Sequence, residues 1–429
     1  MDFNKIKNRQ ESIKYQYFKF GNDYYIARNT NIVERKKRIY LDGIGVTANP
    51  FGANHKIPSG HFKKIVDQKV LYQLANGVMF EDNQNIDDYF KEAFNEIIID
   101  LGIGASKKSE TWLLAYKDNG KLKFTQIPVE QLTPSFDEYG NLIEMLRCFQ
   151  DGNDSWVYQY TDTEIIRYCK KSKEKDYKVQ DIIGHWTTYK EFGGEQIGPP
   201  ELHSFSTVPF IPLYNNREHL SDLFNIKKLI DIYDIITSDF ANNIDDMQDA
   251  YFTLKGYEGS TKGLGEFMKQ LKMYKAVPVS EDGAVESHQL QIPTEARKVF
   301  LEQLEKSIYK YAMAVDLNYM SGGSITNVYI KAMFADLDLK CNQFESELRK
   351  FISHLIEFIN INDNKSLSSK CAFVRETIVN TTETVDNLVN LTSLVSDKTL
   401  RELVPFDIDV EQEEIRIKDQ QGEMIISDE

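Results

Sequence analysis

The chain has 429 residues, 41% of them hydrophobic and 27% charged, with a formal net charge of -15. Single cores stop growing near ~250–300 residues, so two or more modules are expected, and a mean hydropathy of -0.45 excludes wholesale disorder and low-complexity character. The acidity argues against a nucleic-acid binder built on a basic face, though not against a protein that handles DNA without gripping it. No apolar run approaches the ~18 residues of a membrane span. The N-terminus, MDFNKIKNRQ, lacks the apolar stretch of a secretory signal, so a cytosol-like compartment is expected.

Residues 1–106 show helical spacing in two places, Ile57–Leu74 and Asn85–Leu101, with Phe62, Ile65, Val66, Val70 and Leu74 three to four apart. The basic cluster Glu34-Arg35-Lys36-Lys37-Arg38 lies in a connector and reads as solvated. Residues 107–215 switch to short alternating segments (Thr111–Tyr116, Lys121–Ile127, Trp156–Tyr160, Glu164–Cys169, His185–Lys190) divided by Asn-Gly and Gly-Gly turns. They form a β-rich module, closed by Pro199-Pro200.

From 219 to 248 the period is helical again. Leu223, Ile226, Ile230, Tyr233, Thr237, Phe240, Ile244 and Met247 share one face, while Asp231, Asp234, Ser238, Asn242, Asp245 and Asp249 fall within about 80° of one another nearly opposite. The spacing predicts a helix of about 42 Å over 222–249 with an acidic front; an ordinary solvated face is the alternative. Residues 250–292 read as a small β-containing insert, with strands at Ala250–Gly256, Lys275–Val279 and Ala284–Ile292 and a short helix near Leu264–Met273. A second helix starts at Pro293-Thr294-Glu295, where Thr294 can cap and Glu295 suits the first turn. After a glycine-containing stretch, 316–327, the longest periodic segment runs from Val328 to Ile359, about 48 Å of helix. A strand is expected at Cys371–Val379 and helices near Thr384–Val395 and Asp397–Val404. The end, 407–429, carries nine acids against two bases and reads as frayed.

Catalytic and cofactor signatures are missing. Gly102-x-Gly104 follows a helix and precedes a strand, the reverse of a dinucleotide fingerprint, and neither GxxxxGK[ST], HExxH nor GxSxG occurs. The seven histidines and four cysteines do not cluster at metal-ligand spacing, so no metal and no cofactor is expected. An enzyme is the weakest reading; its signature would be carboxylates converging in one pocket.

Four collinear phrases carry a resemblance. They are HKIPSGHFKKIVDQKVLYQLANGVMF within Asn54–Phe80, containing Val66-Asp67-x-Lys69-x-x-Tyr72-x-Leu74; VPFIPLYNN (Val208–Asn216) leading into LIDIYDIITS (Leu229–Ser238); Ser321-Gly322 ahead of a helix through Asp336, Lys340, Phe344 and Leu348; and the stretch around Thr392–Val404, LVSDKTLRELVPF. Together they resemble the portal proteins of tailed bacteriophages, in the group similar to the portal of a Gram-positive siphophage.

The resemblance implies an α+β portal fold. It places a wing at 1–218 and 361–380, two stem helices at 219–249 and 294–315, a clip at 250–293, a tunnel loop at 316–327, a long wing helix at 328–360, and a crown with an acidic tail at 381–429. It implies a dodecameric ring at one capsid vertex in the virion, assembled in the host bacterial cytoplasm. That ring would be a conduit for double-stranded DNA in packaging and ejection, and would contact the major capsid protein, scaffold, the terminase large subunit and a head-tail adaptor, with no membrane. A non-packaging structural protein of a virion or phage-like particle with the same fold is the alternative.

The site residues follow from that frame. Asn318, Tyr319, Met320, Ser321, Gly322, Gly323, Ser324, Thr326 and Asn327 would form the loop facing DNA; capping of the long helix through Ser324 is the alternative for that segment. Asp231, Asp234, Asp245 and Asp249 would form an acidic stem stripe that keeps phosphates off the wall. Met273, Tyr274 and Lys275 would present the clip surface to partners.

Overall fold

The computed structural model describes residues 3–36, 38–41, 45–48, 53–81, 84–192, 195–246, 251–255, 284–288, 294–317, 326–375, 380–406 and 408–427. Its helices are α1 (Asn4–Glu11), α2 (Ile13–Tyr25), α3 (Thr30–Val33), α4 (His61–Leu74), α5 (Phe94–Lys108), α6 (Lys227–Asp246), α7 (Thr294–Ala312), α8 (Asn327–Asp363), α9 (Thr381–Asn390), α10 (Asp397–Glu402) and α11 (Val410–Ser427). The chain divides into two compact units. One comprises 1–22, 63–225 and 309–429; the other comprises 23–62 and 226–308. Residues 23–62 therefore group with 226–308 and not with the rest of the 1–218 block.

The two largest antiparallel sheets lie in the larger unit. Strands β1 (Glu110–Asp118), β2 (Lys121–Ile127) and β3 (Phe210–Tyr214) run in the order β3-β1-β2. Asn119 and Gly120, both at positive φ, make the two-residue hairpin turn that Asn-Gly favours. The second sheet is a five-stranded meander of Leu132–Phe136, Leu142–Asp151, Asp154–Tyr160, Ile165–Lys170 and Lys178–Ile183. Phe18, Trp112, Met145, Tyr160 and Phe210 fill one core around these strands. Beyond the meander, Trp186–Phe192 pairs with Glu195–His203. Pro199-Pro200 thus lies inside a strand, contrary to the expected module boundary. The ladder slips between Thr188 and Lys190, whose partners are Glu201 and Ile197, so the two prolines, which have no N–H to give, sit where pairing is already interrupted.

Helix α5 explains the Gly-x-Gly. A Cβ on Gly104 would come within 2.5 Å of the Thr111 side chain, and one on Gly102 within 3.2 Å of Leu74 and Val70. These glycines let a helix press against a strand and a neighbouring helix. Helix α8 is the longest element, 37 residues, and buries Ile330, Leu337, Cys341, Phe344, Leu348, Phe351, Ile352 and Leu355 on one stripe. Thr326, not Ser324, caps its start by accepting from the Tyr329 N–H at 3.2 Å.

In the smaller unit, α6 spans 20 residues from Lys227; residues 223–226 are turn, so the helix begins later than 219. Tyr251–Lys255 pairs with Ala284–His288. Helical structure at Val410–Ser427 replaces the frayed end expected there.

Candidate functional site

In the larger unit, three of the four phrases that carried the resemblance meet at one buried point. Lys69 of α4 is 1% exposed; its Nζ donates to Asp222 Oδ2 and Ser106 Oγ, each at 3.1 Å, and to Asn215 Oδ1. Its ammonium also lies 4.4 Å from the centre of the Phe344 ring. Lys340, one turn before Phe344 on α8, reaches Asp222 at 3.4 Å and donates to the Ala312 carbonyl at 2.8 Å. Lys69 belongs to the first phrase, Asn215 to the second, and Lys340 with Phe344 to the third. Burial opposes ionisation of Asp222, yet Lys340 and Lys69 outweigh it and hold the carboxyl down at about 2. Burial pushes the Lys69 ammonium the other way, below its ordinary value.

Gln68 clamps the same region from the next position, accepting from the Val315 N–H at 3.0 Å and donating to the Val315 carbonyl at 3.1 Å. The chain leaves this unit after Asn225 and re-enters at Tyr309, so these two of its four crossings depart within a few residues of the node. Such a junction cannot be dissolved one residue at a time, since removing either sign strands a buried charge. Lys69 and Gln73 stand three and seven residues past Val66 on the apolar stripe of α4. That polar intrusion was the overlooked signal.

In the smaller unit, α6 presents its polar face to the protein. Asp234, Ser238 and Asn242 are 1%, 0% and 5% exposed. They accept three alternate backbone N–H groups of the extended segment 55–59: Ser59 to Asp234 at 2.9 Å, Ile57 to Ser238 at 3.0 Å, and His55 to Asn242 at 2.5 Å. The register has a simple origin. Two residues of extended chain advance about 6.6 Å, and four residues of helix about 6 Å, so every second N–H meets every fourth side chain. A segment without strand partners thereby satisfies donors it could not leave unpaired.

The expected acidic stripe is corrected accordingly. Asp234 is buried and bonded to Asn29 Nδ2, and burial raises its pKa despite the Asn29 and Ser59 bonds. Asp231 is half-buried, taking the Tyr24 hydroxyl and the Lys227 ammonium at 2.9 Å; burial and then Asp231 push the Tyr24 phenol strongly upward. Asp245 alone of the described members is exposed, 3.1 Å from His55 Nε2. Asp249 lies outside the described residues.

Of the loop residues, Asn318, Tyr319, Met320, Ser321, Gly322, Gly323 and Ser324 also lie outside the described residues, as do Met273, Tyr274 and Lys275 of the clip. Thr326 is the helix cap. Asn327 is the first residue of α8 and is fixed: its side chain donates to Asn380 O at 3.3 Å and Thr384 Oγ1 at 3.2 Å and accepts from Asn380 N–H at 2.6 Å. Both belong to the anchor of α8. Among the described residues no three His, Cys, Asp or Glu side chains are grouped to hold a metal ion, and no helix is long and apolar enough to cross a membrane.

An α+β chain whose recurring phrases knit long helices to one buried ionic node is built as a structural framework. The sequence matches the model of the phage portal protein family, SPP1 Gp6-like, over residues 4–426, and the chain belongs to that family. Its role is that of a portal protein, a structural component of the phage head-tail connector. It is 28% identical over 398 residues to the portal protein of Clostridium phage phiCD119, covering 85% of each chain. Against the portal protein of Bacillus phage SPP1 it is 29% identical over 437 residues, covering 94% of this chain and 83% of the other. Among solved structures it is similar to a chain in the neck of an empty gene transfer agent particle, at 9% identity and a TM-score of 0.45, over 81% of this chain and 90% of that one.

Proposed function

We propose that the chain assembles into a closed ring, a dodecamer, at one capsid vertex, and that duplex DNA passes through it during packaging and ejection. The family match across 4–426 carries this reading. It is supported by the turns that follow α9 and α10, where Leu394 is 77% and Phe406 59% exposed, surface that a neighbouring copy would cover. Assembly takes place in the host cytoplasm with the major capsid protein and scaffold. The segment 316–327 serves as the collar toward DNA. The clip at 250–293, with Met273, Tyr274 and Lys275, faces the terminase large subunit during filling and the head-tail adaptor afterwards. DNA is kept mobile because the channel avoids neutralising phosphates, to which Asp245, exposed beside His55, contributes.

Native mass spectrometry with negative-stain imaging of the purified protein tests this. Rings with an axial hole are expected; a compact monomer both in solution and in particles would refute the reading.

A further inference from the structure

The basic cluster 34–38 is absorbed by nothing above. In the smaller unit Arg35, Lys36 and Arg297 line one open pocket with Glu34, Asp239 and Asn243. Three cations against two carboxylates make it locally positive in a chain of net charge -15. Arg35 is spent, held by Asp239 through two bonds of 2.9 and 3.0 Å. Arg297 is not: its guanidinium lies 5.7 Å from the centre of the Phe240 ring, it forms no ion pair among the described residues, and its Nη1 is buried without a hydrogen-bond partner. An arginine beside an aromatic ring with an unsatisfied donor suits a carboxylate.

The same helix carries the complement on its far side. At 100° per residue Glu295 and Glu302 stand about 140–160° round α7 from Arg297. Both are exposed, and between them lies Val299, 60% exposed. One copy therefore cannot bring its own ridge to its own pocket. Pocket and ridge face opposite ways, the disposition that a head-to-tail contact repeated around a ring requires.

The geometry points to an intersubunit latch in which Glu295 and Glu302 of one copy enter the Arg297 pocket of the next, with Val299 packed beside them. This rests on the ring reading above. It favours a second copy over DNA as occupant. With Arg35 already held by Asp239, the remaining cations of the pocket, Arg297 and Lys36, suit two discrete carboxylates better than a polyphosphate strand, and a conduit gains nothing from gripping phosphates.

The test uses two full-length variants, Arg297→Glu and the double variant Glu295→Arg/Glu302→Arg. Each alone places like charges at every contact and is expected to weaken ring formation about tenfold or more. An equimolar mixture pairs the acidic pocket of the first with the basic ridge of the second, and the unchanged pocket of the second with the unchanged ridge of the first. Native mass spectrometry should therefore show rings restored and containing both variants, which also shows that each variant is folded. Rings of wild-type yield from either variant alone would overturn the latch while leaving the ring reading intact. Intact rings with weakened duplex binding in Arg297→Glu, read by fluorescence anisotropy, would overturn it in favour of a phosphate contact. Failure of the mixture to rescue would also overturn it. Wild-type protein without rings would remove the reading on which it rests.

Discussion

Helix α8 and the helices that follow it treat apolar residues in opposite ways. In α8 the stripe from Ile330 to Ile359 is buried by the chain itself. Helices α9 and α10 bury no residue, and Val389, Leu394, Leu403 and Phe406 stand 52–77% exposed. The same kind of amphipathic spacing thus ends as core in one place and as open surface in the other. A single chain can finish the first region alone; the second is completed only by something outside it, which under the proposed function is the next copy.

Paired truncations put the largest strain on that contrast. Phe351→Ala in α8 should lower unfolding free energy by about 3–5 kcal/mol through lost burial and a residual cavity. Phe406→Ala should change it by less than about 0.5 kcal/mol in the monomer while reducing ring yield. Denaturant melts beside native mass spectrometry read both. A destabilised Phe406→Ala monomer would mean the C-terminal helices have a partner within the chain.

How much of this was readable follows the same division. Repetition made the long helices visible, and the 3.6-residue stripe of α8 was readable over 32 of its 37 residues. Helix α1 was missed because its sequence, NKIKNRQE, buries nothing and so leaves no period to find. Strands Leu142–Asp151 and Lys178–Ile183 escaped because their burial does not alternate cleanly. The acidic face of α6 was located correctly and its destination misjudged. A helical wheel records which residues share a face but not whether backbone donors from about 180 positions away will cover it.

The anchoring of α8 separates its two ends more finely. Thr326 supplies one hydroxyl to the Tyr329 N–H, and Asn327 ties the helix start to the cap of α9. Thr326→Ala should cost about 1 kcal/mol and leave the buried stripe untouched. If it fell instead in the range of Phe351→Ala, the helix start would be far more strongly coupled to the core than its exposure implies.

The last expected effect lies in the β-rich part and depends on pH. His185 is 9% exposed; its Nδ1 accepts the Phe205 N–H at 3.0 Å and its Nε2 donates to the Thr161 carbonyl at 3.1 Å, an arrangement that requires the neutral ring. Burial pushes its pKa below the ordinary value of 6.5, with the Thr161 bond only partly opposing. The folded state thus binds fewer protons than the unfolded state just below 6.5. The stability contributed by the neutral ring is complete above that pH and is lost as pH falls toward the depressed folded value. Each unit of depression is worth about 1.4 kcal/mol. Melting wild type and His185→Gln between pH 7.5 and 5 should show a steeper decline for wild type, the glutamine variant starting lower because it cannot reproduce both bonds. Parallel curves would show that the imidazole titrates alike in the folded and unfolded chain, and that the Phe205 and Thr161 bonds do not hold it neutral.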